Sequence, residues 1–175
     1  MIDKNIALIG FMGCGKSTVG KLLAQEQGWN FFDSDELVVR KAECSIPEIF
    51  QRWGEKSFRK YEREVLVEVS AWKSIVLATG GGIPIGVVNW EILRRDFYPV
   101  YLKVDFDVLY ERIRGDATRP LLKKYGSKEK LRELHTQRLY WYEKAHVIID
   151  ATYFSQMEIV KDIIQRAGLS GSGGE

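Results

Sequence analysis

Gly10-Phe11-Met12-Gly13-Cys14-Gly15-Lys16-Ser17 fits the pattern G-x-x-x-x-G-K-[ST], and few octapeptides restrict a fold so strongly. The pattern carries meaning only between a strand and a helix, and the flanks supply both. Asn5 to Ile9 is a strand-like apolar run, and hydrophobic spacing from Lys16 to about Gln27 predicts a helix that Gly28 ends. Glycines there let backbone N–H groups turn inward around phosphate oxygens, and the start of the helix adds its positive dipole end. Lys16 is then placed to reach β- and γ-phosphates, and Ser17 to ligate Mg²⁺. A glycine-rich turn with a solvated lysine is the duller reading, but the matching flanks favour nucleoside triphosphate binding.

Beyond Gly28 the chain keeps alternating. A short strand is predicted at Trp29 to Phe32, and buried-type strands at Ile75 to Thr79, at Val100 to Val104 after Pro99, and at Val147 to Asp150. Ser45-Ile46-Pro47-Glu48 has capping-box spacing and opens a short helix that Gly54 closes. In the next helix Phe58, Tyr61, Val65, Val69 and Trp72 form one apolar stripe, with Arg59, Glu62 and Arg63 off it. Further helices are expected from near Asp105, from near Ser127 through Arg138 and Tyr142, and from Ser155 to Ala167. Such alternation predicts an α/β fold with a parallel sheet and helices on both faces, in which ligands collect at the carboxyl ends of the strands.

At 175 residues the chain suits one domain, and 45% hydrophobic with 29% charged residues places it among globular proteins. Its apolar runs are strand-sized, too short to span a bilayer. A net charge of +2 argues against nucleic-acid binding, which calls for a strongly basic face. Cys14 and Cys44 form neither a disulfide framework nor a zinc motif, and Met1-Ile2-Asp3-Lys4 has no signal-peptide pattern, so a cytoplasmic location is expected. His135 and His146 are too isolated to suggest a metal site or a triad. The Gly/Ser-rich stretch 169–175 is expected to be a flexible tail.

A phosphate loop alone does not name a reaction. There is no N-K-x-D guanine reader, and the strand near position 80 ends in Gly80-Gly81-Gly82, leaving space for an acceptor. Asp33 and Asp35, at i and i+2 after a strand, can point to different places: a hydrated Mg²⁺ for one, an acceptor hydroxyl for the other. The same Asp-Ser-Asp also fits a helix-capping pair, with Asp35 able to cap its own helix. Arg138 shares a helix face with Leu134 and Tyr142, and an arginine among core-facing neighbours calls for an anion. Arg59 also fits a simple i,i+3 pair with Glu62.

Taken in order, the phosphate loop from Gly10 to Thr18, Asp33-Ser34-Asp35, Phe58-Arg59-Lys60-Tyr61-Glu62 with Gly80-Gly81-Gly82, and Arg119-Pro120-Leu121-Leu122 followed by 138–145 resemble shikimate kinases, over Asn5 to about Asp150. The resemblance implies a three-layer P-loop fold with strand order 2-3-1-4-5 in one domain, 1–168. It places an acceptor-binding region at about 34–62 and a lid at about 115–127. It implies transfer of the γ-phosphoryl group of MgATP to the 3-hydroxyl of shikimate by a monomer, with shikimate and ATP as its small-molecule partners and Mg²⁺ as cofactor. Gly13, Cys14, Gly15, Lys16, Ser17, Thr18 and Arg119 would bind nucleotide, with Arg112 against the adenine face. Ser17 and, through water, Asp33 would hold Mg²⁺. Asp35, Arg59, Gly81 and Arg138 would bind the acceptor, and Lys16, Asp35 and Arg119 would act in the transfer, Arg119 from a mobile cationic lid. Arg114, Lys123, Lys124 and Lys128 are read as solvated surface charges. The stretch Ala151-Thr152-Tyr153-Phe154 departs from the family's usual arginine or proline, and Tyr153 or Phe154 can stack on the base instead. Another small-molecule kinase, of gluconate or nucleoside-monophosphate type, and a non-catalytic nucleotide-binding module are the competing readings.

Overall fold

Five short strands, β1 (Asn5–Ile9), β2 (Asn30–Asp33), β3 (Ile75–Ala78), β4 (Phe97–Lys103) and β5 (Val147–Asp150), form one parallel sheet in the order β2-β3-β1-β4-β5. The structure is a computed structural model that describes residues 4–116 and 120–169. Eight helices flank the sheet among these residues: α1 (Lys16–Gln27), α2 (Ser34–Ala42), α3 (Ile46–Ser70), α4 (Val87–Asp96), α5 (Phe106–Ile113), α6 (Pro120–Tyr125), α7 (Lys128–Tyr142) and α8 (Gln156–Arg166). Residues in β1 and β3 are all buried, as expected of parallel strands covered by helices. Among the described residues no helix is long and apolar enough to cross a membrane.

Register is what positions the site. Leu8 and Asp33 both pair with Ala78, so β2, β3 and β1 end level with one another. The segments that leave those three ends are Ser34-Asp35, Thr79 to Gly82 and the loop from Gly10. Thr79 fastens the junction by donating both its N–H and its hydroxyl to Leu8 O at 3.0 Å.

Three local findings refine the sequence reading. β4 begins at Phe97 and contains Pro99, which was expected to precede the strand. A residue's N–H and C=O point to the same side of a strand, and Pro99 O accepts from His146 N at 3.0 Å, on the β5 side. The missing donor therefore faces a neighbour that starts only at Val147, and no ladder bond is lost. The residue that caps α2 is Asp33, which accepts from Asp35 N at 2.9 Å, rather than Asp35. Gly54 does interrupt α3, with φ 75° and ψ 177°, as a kink inside one hydrogen-bonded run.

The capping box at the start of α3 is complete. Ser45 Oγ accepts from Glu48 N, and the Glu48 carboxylate accepts from Ser45 N at 2.9 Å. Ser45→Ala should cost about 1 kcal/mol and lower the melting temperature by about 2–4 °C, measured by thermal denaturation; an unchanged midpoint would show that the box does not hold this helix.

Candidate active site

The phosphate loop folds over its own lysine. Gly13 and Gly15 take φ values of 82° and 96°, and Gly15 is the N-cap of α1, where its carbonyl accepts from Val19 N at 2.9 Å. A Cβ at Gly13 would lie 2.6 Å from Ile113, so glycine is required there twice over. Lys16 Nζ donates to Gly10 O at 3.0 Å and to Phe11 O at 2.9 Å, which stretches the side chain across the loop. Ser17 Oγ donates to Asp33 Oδ2 at 2.6 Å. A hydroxyl and a carboxylate side by side next to Lys16 are hard oxygen donors of the kind Mg²⁺ takes, so this pair fits the ion. Lys16, Ser17, Thr18, Asp33, Asp35 and Arg112 all border one cleft of about 810 Å³.

A second pocket, of about 270 Å³, shares Met12, Asp35, Gly80 and Gly81 with that cleft, so the two cavities meet at Asp35. Arg59, Glu62 and Arg138 form its polar wall, and Phe50, Phe58 and Leu121 its apolar one. The three glycines permit this convergence. A Cβ at Gly80 would lie 2.7 Å from Asp35 Oδ1 and 2.9 Å from Glu62 Oε1; at Gly81, 3.1 Å from Arg138 Nη1; at Gly82 it would overlap the Arg59 guanidinium.

Arg59 donates to Glu62 at 2.6 Å and to Glu55 at 2.9 Å, and Glu55 also takes Lys124 Nζ at 2.6 Å. Lys124 stays half exposed, as its reading as a surface charge expects, and is joined through Glu55 to Arg59 of the pocket. Burial opposes the Arg59 charge, yet the two carboxylates raise its pKa. Glu62 is only 2% exposed. Burial pushes its carboxyl up to about 7 and Asp35 adds to this, against the opposing pull of Arg59 and Arg138. Arg138, also buried, lies with Cζ 5.7 Å from the centre of the Phe11 ring in the phosphate loop.

The family model for shikimate kinase matches residues 12–167. The chain belongs to the shikimate kinase family. Among curated relatives, the shikimate kinase of Trichormus variabilis is 46% identical over 145 residues, which cover 83% of this chain and 80% of that protein. That of Geobacter sulfurreducens is 42% identical over 160 residues, covering 91% and 88%. The solved structure of the Acinetobacter baumannii shikimate kinase in complex with shikimate aligns with a TM-score of 0.89 at 39% identity, covering 93% of this chain and 91% of that one. The Aquifex aeolicus shikimate kinase aligns with a TM-score of 0.84 at 35% identity, covering 94% and 96%. A gluconokinase from Sinorhizobium meliloti, at 17% identity and a TM-score of 0.63, shares the fold alone.

In this shikimate kinase family member a third cavity, of about 600 Å³, runs from the phosphate loop to the start of α8. Arg112 lines it and donates to Gly13 O at 3.3 Å. Phe154 also lines it, whereas Tyr153 is 85% exposed and outside its walls, which separates the two aromatics that the sequence left equivalent. Thr152 holds this stretch in place by accepting from Asp105 N at 3.2 Å. Asp35, Arg59, Gly81 and Arg138 are thus in one pocket and the loop residues in its neighbour, while Arg119 lies outside the described residues. Sequence reasoning missed Glu55 and the burial of Glu62; a carboxylate four residues before an arginine and another three after it was the available signal.

Glu62 yields a prediction with a definite sign. Its folded pKa, about 7, lies above its ordinary 4.5, so its contribution to stability is complete below that ordinary value and is lost as pH rises through about 7. Raising the pH from about 5 to about 8 should therefore lower the melting temperature of the unsubstituted chain relative to Glu62→Gln. A pH-independent difference between the two would contradict a raised pKa.

Proposed function

We propose that this chain transfers the γ-phosphoryl group of ATP to the 3-hydroxyl of shikimate, giving shikimate 3-phosphate and ADP. One observation carries the reading: Asp35, Arg59 and Arg138 line a single small pocket that opens at Asp35 onto the cleft holding Lys16. Family membership and the likeness to a shikimate-bound relative support the choice of acceptor. The reading treats 1–168 as one kinase domain, with acceptor contacts from about 34–62 and a lid at about 115–127.

The roles follow from chemistry. Arg59 and Arg138 would clamp the acceptor carboxylate, since a guanidinium fork matches its geometry, with Gly81 backbone beside them. The acceptor hydroxyl would then lie at Asp35, which orients it and takes its proton as the oxygen attacks the γ-phosphorus. The bond from that phosphorus to the β-phosphate oxygen breaks, and ADP leaves with the electron pair. Lys16 would neutralise charge on the β- and γ-phosphates, and Arg119 the charge developing on the transferred group. Ser17 and, through water, Asp33 would hold Mg²⁺, which would supply positive charge against the phosphates. Gly13, Cys14, Gly15 and Thr18 would contact phosphates, and Arg112 the adenine face. Little covalent work is asked of the protein; holding two reactants in line supplies most of the acceleration.

Asp35→Asn should lower kcat by about 10²–10⁴ while leaving ATP affinity nearly unchanged, because proton acceptance is lost and the phosphate loop is not. Release of ADP, followed in a coupled assay, should depend on shikimate and not on gluconate, quinate or nucleoside monophosphates. Faster turnover with any of those acceptors, or full activity in the Asp35 variant, would remove this reading in favour of another kinase or a binding module.

A further inference from the structure

Tyr142 is fully buried, yet its hydroxyl is bonded to the acceptor pocket rather than to another core group. It donates to Gly81 O at 2.6 Å, and the positive charge of Arg138 acts on it from nearby. Gly80, Gly81, Gly82 and Arg138 are walls of the pocket and Tyr142 is not, so the phenol stands behind the glycine shelf. The peptide between Gly81 and Gly82 is trans and planar, which makes its C=O and N–H point in opposite directions. A carbonyl drawn back onto Tyr142 therefore turns the Gly82 N–H forward, to the side where the Arg59 guanidinium lies against Gly82.

In the same triplet Gly80 N donates to Ser34 Oγ, while Gly80 O and Gly82 O accept from Ile83 and Ile85. The same point on Gly81 is 3.4 Å from the Tyr142 oxygen and 3.4 Å from Gly10 O, the carbonyl that receives Lys16. Gly81 packs between the phenol and the phosphate loop. Burial pushes the phenol up to about 12, so Tyr142 keeps its proton for this bond at any working pH.

We infer that Tyr142 is a positioning residue: by holding Gly81 O it sets the direction of the Gly81–Gly82 peptide in the wall that, with Arg59 and Arg138, faces the acceptor carboxylate. The inference rests on the shikimate reading above and adds to it the residue that orients this stretch of backbone. Removing the hydroxyl frees the peptide to turn, while the ring of Tyr142 keeps its packing 5.2 Å from Tyr101.

The test is steady-state kinetics of Tyr142→Phe with shikimate and with its methyl ester, which has no carboxylate charge. For shikimate the substitution should raise KM about tenfold, the scale of one lost hydrogen bond. The KM for ATP should stay within about twofold, since the phosphate loop keeps its own contacts. With the ester the unsubstituted chain should bind weakly and the substitution should change little, because the group that Tyr142 serves is gone. An equal penalty on acid and ester, a matching rise in KM for ATP, or a variant that no longer folds would make the phenol an ordinary core hydrogen bond and overturn the inference. Failure of the unsubstituted chain to phosphorylate shikimate would instead remove the functional reading on which the inference stands.

Discussion

Two guanidinium groups and two carboxylates approach three consecutive α-carbons at Gly80, Gly81 and Gly82, and the arrangement tolerates no side chain there. Opposite charges in a low-dielectric site stabilise one another only if each is paired and held in place. Here Glu62 and Glu55 take Arg59, and the positive charges of Arg59 and Arg138 offset the repulsion between Glu62 and nearby Asp35. The cluster is held by strands that end level, since Leu8 and Asp33 share Ala78 as partner. A one-residue slip in any of the three strands would carry a charge away from the shelf.

The pocket sets charges of both signs side by side, with Asp35, Glu62 and Asp116 among its walls. Arg59 and Arg138 supply positive charge to a small cavity, while Asp35 adds an acceptor at the boundary with the phosphate cleft. Because Glu62 and Glu55 already contact Arg59, the fold itself sets the orientation of that guanidinium. Preorganisation of that sort reduces the ordering that a ligand must impose. Lys124 enters the same network through Glu55, so the short helix α6, which also contributes Leu121, is joined to the acceptor wall by charge and by apolar contact.

Features encoded by neighbouring residues were legible in the sequence. The phosphate loop, the Ser45 box and the Gly54 break depend on spacings of a few residues, and each lies where the pattern put it. Pro99 was harder, because its cost depends on which side of the strand has a partner, a fact of topology. Asp33 and Asp35 both suit a cap, and only the backbone path selects Asp33. Arg59 and Arg138 are far apart in sequence, so their convergence was foreseen only through the resemblance to shikimate kinases. Burial of Glu62 and the pairing of Lys124 with Glu55 arise from packing between distant segments, which no local pattern encodes.

The bend at Gly54 divides α3 into two parts with separate duties. Before it stand Ile46 and Phe50, apolar lining of the pocket; after it come Phe58, Arg59 and Glu62, one aromatic wall and the charged clamp. Residues ahead of the bend thus shape the apolar side of the cavity, while its charged side chains on this helix come from the segment after it. That short arm is where descendants of this fold can acquire a taste for a bulkier or slimmer molecule while inheriting the chemistry unaltered.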